Sequence, residues 1–150
     1  MYNLKRSGGT FKGLIGECMF KLTRKNLVLT RFFNKNKYLN IFGDRLTKEQ
    51  YVFLDKNWYS LDAIEVDYSV KPYRFVIFEV KTINYLYNPK PYWKLLMTKN
   101  TYDLYCEALK LNFDVKVATI ILLDNWNYEL DIIDFDHADF SISKPKKYDI

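Results

Sequence analysis

Leu61-Asp62-Ala63-Ile64-Glu65-Val66-Asp67-Tyr68 and Phe75-Val76-Ile77-Phe78-Glu79-Val80-Lys81-Thr82, joined by a turn through Pro72, are the segments whose pairing decides the fold. Their length and their β-branched and aromatic content read as two adjacent strands with a connecting loop. The second opens on an apolar run, Phe75 to Phe78, which predicts burial on both faces. Side chains at i and i+2 leave a strand on the same face, so Glu79 and Lys81 point into one place. Asp62 opens the neighbouring strand and can reach that place too. Unpaired buried charges are costly, so charges converging at the end of a buried hairpin call for a metal, a substrate phosphate or one another. Along the first strand Asp62, Ile64 and Val66 share one face, and Ala63, Glu65 and Asp67 the other. Glu65 and Asp67 are then solvent-facing, or rival metal ligands if a bulge shifts the register.

Downstream of the hairpin, Asn84 to Pro91 reads as a loop, with Pro89 and Pro91 as breakers. A long helix is predicted from Pro91, which suits a first helical position, to about Asn112. Thr98, Tyr102, Tyr105 and Leu109 share one of its faces. Val115 to Leu123 is an apolar run expected to form a central strand, and Asp124-Asn125-Trp126-Asn127 a turn into a paired strand, Tyr128 to Phe135. Asp131, Asp134 and Asp136 make that end acidic, which is read as a solubilising edge. The tail from Ser141 carries Lys144-Pro145-Lys146-Lys147 and reads as a loose basic arm.

Upstream, residues 1–10 with Lys5, Arg6 and Ser7-Gly8-Gly9 read as a flexible basic arm. Residues 12–25 read as a helix whose apolar stripe is Leu14, Ile15, Cys18, Met19 and Leu22. Gly13 and Gly16 weaken that helix but allow close backbone approach, and Glu17 lies off the stripe. Between this helix and Asp62, Leu27 to Phe33 reads as a strand, Asn34-Lys35-Asn36-Lys37 as a polar turn, and Tyr38 to Phe42 as a second short strand. Thr47 is placed to cap a short helix ending at Asn57. Arg31, Lys35, Lys37, Arg45 and Lys48 either line a groove for a polyanion or form a solvated face.

Composition narrows the class. The chain has 150 residues, 49% apolar and 27% charged, which predicts one globular domain spanning 1–150 with a real core. The net charge of +5 favours a polyanionic partner. Cys18 and Cys106 stand far apart without a neighbouring Cys or His, which excludes zinc and iron–sulfur spacing. Both are expected to be small buried thiols, and the lone His137 a surface residue. With no signal peptide and no run of about 18 apolar residues, the expectation is a soluble cytoplasmic protein with no membrane partner.

Asp62, Glu79-Val80-Lys81 and the apolar strand before them resemble the signature of the PD-(D/E)XK nuclease superfamily. Lys12-Gly13-Leu14-Ile15-Gly16-Glu17 is similar to its first-helix motif, especially in the Holliday-junction-resolvase branch. The resemblance implies an α/β, restriction-endonuclease-like core: a central mixed β-sheet flanked by helices in the order αβββαβ. It also implies catalytic roles for Glu17, Asp62, Glu79 and Lys81. The metal ligands would be Asp62, Glu79, the Val80 carbonyl and Glu17, holding Mg²⁺, for which Mn²⁺ would substitute. Leu61 stands where the family often has Pro, and the cysteines of its iron–sulfur members are absent.

Phosphodiester hydrolysis needs an activated water, neutralised phosphate charge and help for the leaving oxygen, all of which a divalent ion supplies. Mg²⁺ takes hard oxygen ligands and keeps several waters. Lys81 would orient or deprotonate the attacking water, or stabilise charge in the transition state. Basic side chains would hold the DNA backbone by counterion release, which carries little sequence information. The expected function is a metal-dependent DNA nuclease, an endonuclease with structure-dependent or weak sequence specificity. It would act as a homodimer, since cutting two strands symmetrically needs two sites. The alternatives are a catalytically inactive DNA-binding protein on the same fold, and an unrelated α/β interaction protein whose E-x-K is a salt bridge.

Overall fold

A computed structural model describes residues 4–84, 95–124, 127–138 and 140–143. In chain order the elements are α1 (Leu4–Thr23), β1 (Leu27–Leu29), α2 (Lys35–Phe42), α3 (Lys48–Asn57), β2 (Ala63–Asp67) and β3 (Arg74–Asn84). Then follow β4 (Leu95–Thr98), α4 (Lys99–Lys110), β5 (Asp114–Leu122), β6 (Tyr128–Asp134) and β7 (Phe140–Ser143). The main sheet runs β1-β2-β3-β5-β6. β1, β2 and β3 form an antiparallel meander, β3 and β5 are parallel, and β6 returns antiparallel to β5. A parallel neighbour requires a crossover, and α4 lies on that crossover. The fold is thus α/β, a mixed five-stranded sheet flanked by helices.

β3 shows why the sheet is covered on both sides. Phe75 and Ile77 point into a core shared with Tyr38, Leu39, Phe53, Leu54, Trp58, Tyr105 and Ala108 of the α2–α4 side. Val76, Phe78 and Val80 point the other way, against Phe20 of α1. Six consecutive residues, Phe75–Val80, are buried, as the apolar run implied. β5 is buried likewise through Val115, Val117, Ala118, Ile120 and Ile121.

Several expectations are corrected. α1 begins at Leu4, so the backbone over residues 4–10 is helical rather than a loose arm. The apolar stripe of that helix is not its most buried face: Gly16, Glu17 and Phe20 are buried, Met19 packs at the edge of the Phe20 cluster, and Leu22 is 87% exposed and Cys18 exposed. Gly16 sets this orientation, because a Cβ there would lie 1.9 Å from Thr82 Oγ1. The helix approaches β3 along its glycine, and the larger side chains are left to either side. Cys106 is partly buried, so neither thiol is the core residue expected.

Residues 38–42 are helical, not a strand. Asn34 is the N-cap, its side chain accepting from Lys37 N–H at 3.1 Å. Tyr38 then packs against Phe42 one helical turn on, and against Phe33 and Trp58 outside the helix. Thr47 caps α3 as expected, in a capping box with Gln50. The helix expected from Pro91 begins at Lys99. Leu95 and Met97 point inward and Leu96 outward, the period of a strand, and this strand pairs in parallel with β7. Thr98 is therefore the N-cap of α4. Ser141–Ser143 belong to β7. The expectations for residues 85–94, 125–126 and 144–150 lie outside the described residues. Among those described, no helix is long and apolar enough to cross a membrane.

Candidate active site

The β2–β3 register pairs Ala63 with Phe78, so one step outward Asp62, just before β2 begins, stands opposite Glu79. Residues opposite one another in an antiparallel pair share a face, and that face is the one carrying Ile64 and Ile77. Asp62 Oδ2 accepts the Val80 N–H at 2.8 Å. N–H and C=O of one strand residue point to the same edge, so the Val80 carbonyl also faces the end of β2. Lys81, two residues after Glu79, places Nζ 3.2 Å from Glu79 Oε1. The Tyr105 hydroxyl, fully buried on α4, donates to Glu79 Oε2.

Glu17 arrives from the opposite layer. It is only 4% exposed, and Arg31 grips it bidentately, Nε to Oε1 at 3.1 Å and Nη2 to Oε2 at 2.6 Å. Arg31 sits on the turn after β1, which two contacts fix. Thr30 N–H donates to the Asp62 carbonyl at 3.1 Å. The Trp58 indole N–H donates to the carbonyls of Thr30 at 3.0 Å and Phe33 at 3.2 Å.

The electrostatics reflect crowding. Burial, and next the Glu79 charge, push the Asp62 carboxyl up to about 8, against the pull of the Val80 N–H, and Glu17 adds to the rise. Burial raises Glu17 as well, opposed by Arg31 and reinforced by Glu79. Burial raises the Tyr105 phenol well above its ordinary value, with Glu79, Asp62 and Glu17 contributing in that order. The carboxylates of Glu17, Asp62 and Glu79 therefore lie within one another's field. Among the described residues, however, no three His, Cys, Asp or Glu side chains are arranged to hold one ion between them. Glu17 is turned to Arg31, which leaves Asp62, Glu79 and the Val80 carbonyl as the oxygen donors at the end of β2.

A cleft of about 180 Å³ opens on Glu79 and Lys81, walled by Leu96, Met97, Thr98 and Thr101. A larger open depression of about 590 Å³ lies at the opposite end of the sheet. Size does not make it the better site, because its charges cancel locally: Arg24 grips Glu65 at 2.7 Å and Lys116 meets Asp134 at 2.9 Å.

The four residues expected in the site, Glu17, Asp62, Glu79 and Lys81, are thus brought to one end of the sheet. The rival ligands are not. Glu65 faces Arg24, and Asp67 accepts from Ser69 N–H at 2.9 Å. On α4, Lys99 pairs with Asp103 at the surface and Tyr102 packs against the rings of Phe135 and Phe140. Sequence reasoning missed Tyr105 and Arg31 as members of the cluster. Tyr105 carried one signal, since a tyrosine on a core-facing helix stripe needs a partner for its hydroxyl. Of the other basic residues read as a groove, Lys35 pairs with Asp55, Lys37 lies over Phe33 and Arg45 over Tyr73.

Comparison with protein-family models, with curated proteins and with solved structures returned no match to this chain. A functional reading therefore rests on the residues and their geometry.

Proposed function

We propose that this chain is a divalent-metal-dependent nuclease of the PD-(D/E)XK type that hydrolyses DNA phosphodiester bonds. The observation that carries the reading is the register of β2 on β3, which sets Asp62 across from Glu79 with Lys81 on the same face. The element order α1-β1-β2-β3-α4-β5 supports it, being the αβββαβ order that the motif resemblance implies, with α2, α3 and β4 as additions.

The donor set fits a hard cation. Two carboxylates share a buried end of the sheet. Burial, and next the neighbouring Glu79, push the Asp62 carboxyl up to about 8. A divalent ion in place of the Asp62 proton relieves the repulsion. Asp62, Glu79 and the Val80 carbonyl would hold it. Bound Mg²⁺ would supply Lewis-acid charge to the phosphate and make an adjacent water more acidic.

The side chains divide the remaining work. The Val80 N–H fixes the Asp62 carboxylate, and the Tyr105 hydroxyl fixes one Glu79 oxygen, so neither reorganises when substrate arrives. Lys81, held over the cleft by the other Glu79 oxygen, orients the attacking water and offsets charge growing on the phosphate. Dimerisation belongs to the same proposal, as symmetrical cutting requires two such sites.

A panel of single-stranded, duplex, flap and four-way DNA with Mg²⁺ or Mn²⁺ tests the reading. Cleavage is expected, lost in Glu79→Ala and Lys81→Ala. If both variants cut as well as the parent, the assignment is wrong. One observation favours a second reading, a non-catalytic DNA-binding protein on this scaffold: Asp62, Glu79 and Glu17 each already have a protein partner. Tight DNA binding with no cleavage in either metal would select it.

A further inference from the structure

Arg31 is an unusual neighbour for a site that must gather cations. It spends a guanidinium on Glu17, yet its side chain remains 40% exposed while Glu17 is buried. A guanidinium has five N–H donors, and Glu17 takes those on Nε and Nη2. That leaves the Nη1 donors outside the Glu17 pair, on a side chain that is 40% exposed. The backbone tie from Thr30 to the Asp62 carbonyl keeps the base of Arg31 beside the acidic pair.

Charge counting gives this arrangement a direction. Fully ionised, Glu17, Asp62 and Glu79 outweigh Arg31 and Lys81 by one negative charge. A divalent cation on Asp62 and Glu79 turns that into one surplus positive charge. A phosphodiester carries the single negative charge that would cancel it. Arginine suits the task because its planar fork matches carboxylate and phosphate oxygens equally well.

We infer that Arg31 is the backbone-phosphate contact of this site, parked on Glu17 until DNA arrives and then shared with or transferred to a phosphate oxygen. This rests on the nuclease reading and adds a residue and a role to it. Glu17 is then the holder that keeps Arg31 beside the acidic cluster.

The test separates Arg31 as a phosphate ligand from Arg31 as mere ballast for Glu17. Binding of a fluorescein-labelled duplex is measured by anisotropy in Mn²⁺, in a Lys81→Ala background so that the DNA stays intact. Mn²⁺ binding without DNA is measured by calorimetry. Arg31→Ala is expected to weaken DNA binding about tenfold and to reduce the salt slope by about one phosphate contact. The same change is expected to tighten Mn²⁺ several-fold, because a nearby positive charge has gone. Arg31→Lys recovers part of the DNA affinity, as a point charge without the fork. The double variant Glu17→Gln/Arg31→Ala removes the unpaired buried carboxylate, which guards against misfolding, and should stay about as weak on DNA as Arg31→Ala.

In the otherwise unchanged chain, Arg31→Ala should raise KM about tenfold and leave kcat within roughly threefold. Unchanged DNA affinity, recovery of that affinity in the double variant, or joint weakening of Mn²⁺ and DNA overturns the assignment. If the parent cuts DNA and Arg31→Ala binds it equally well, only the role of Arg31 falls. If the parent neither binds nor cuts, the nuclease reading falls and this inference with it.

Discussion

Replacing Asp62 by asparagine should change how stability depends on pH, by an amount that follows from the site. In the metal-free protein, burial and Glu79 raise the Asp62 carboxyl from its ordinary 3.8 to about 8. Between those values the folded chain keeps a proton that the unfolded chain has released. Stability therefore falls as pH rises through the window, at about 1.4 kcal/mol per pH unit for one proton. From pH 5 to pH 7 the parent should lose roughly 2–3 kcal/mol from this group. Solvent screening at the sheet end reduces that, and a loss of at least ~1 kcal/mol is the expected result. The amide of Asp62→Asn can still accept the Val80 N–H but cannot ionise, so the loss should vanish. Urea denaturation of both proteins in EDTA at pH 5, 6 and 7 measures it. The stability difference, variant minus parent, should grow steadily with pH. Parallel curves would mean that Asp62 is not held beside Glu79, and the electrostatic description of the site would be wrong.

Three further outcomes follow from the packing. Gly16→Ala puts a methyl group against Thr82 Oγ1 and should destabilise by ~1–3 kcal/mol, read by thermal or urea unfolding; a neutral result would mean that α1 does not approach β3 at Gly16. Trp58→Phe keeps most of the buried ring but leaves the Thr30 and Phe33 carbonyls without their indole donor. A loss of ~1–3 kcal/mol is expected, together with broadened amide signals from the turn bearing Arg31, and unchanged spectra there would dismiss Trp58 as its anchor. Tyr105→Phe removes the hydroxyl that fixes Glu79; on the proposed nuclease reading, single-turnover cleavage should slow about tenfold or more while KM stays near the parent's, and a KM effect alone would contradict the positioning role.

The site residues were legible because the signal that marks them is local. Glu79 and Lys81 share a face through the period of a strand, whatever the rest of the chain does. The buried run before them required cover on both faces, and the sheet provides it with α1 on one side and α2–α4 on the other. The Thr47 cap was legible for the same reason, since its partner Gln50 is three residues away. The expectation for α1 failed because an apolar stripe is normally the buried one. Here closest approach at Gly16 turned Glu17 inward and left Leu22 in solvent. Leu95–Thr98 gives no local sign of being a strand, because its partner, Phe140–Ser143, lies far along the chain. For residues 38–42 the deciding signal is the cap at Asn34, a residue type that serves turns and helix starts alike.

By itself the sequence determined that Glu79 and Lys81 share one face, that their strand is buried on both sides, and that an acidic neighbour opens the strand before it. Those properties depend on backbone periodicity and on the cost of burying bare charge, both of which operate over a few residues. Only the tertiary structure decided that Asp62 meets Glu79 in register, that Tyr105 steadies Glu79, and that Arg31 holds Glu17. Each of those pairings joins distant parts of the chain. No local rule selects among distant partners until the sheet, the glycine contact and the Trp58 anchor have fixed where each backbone lies.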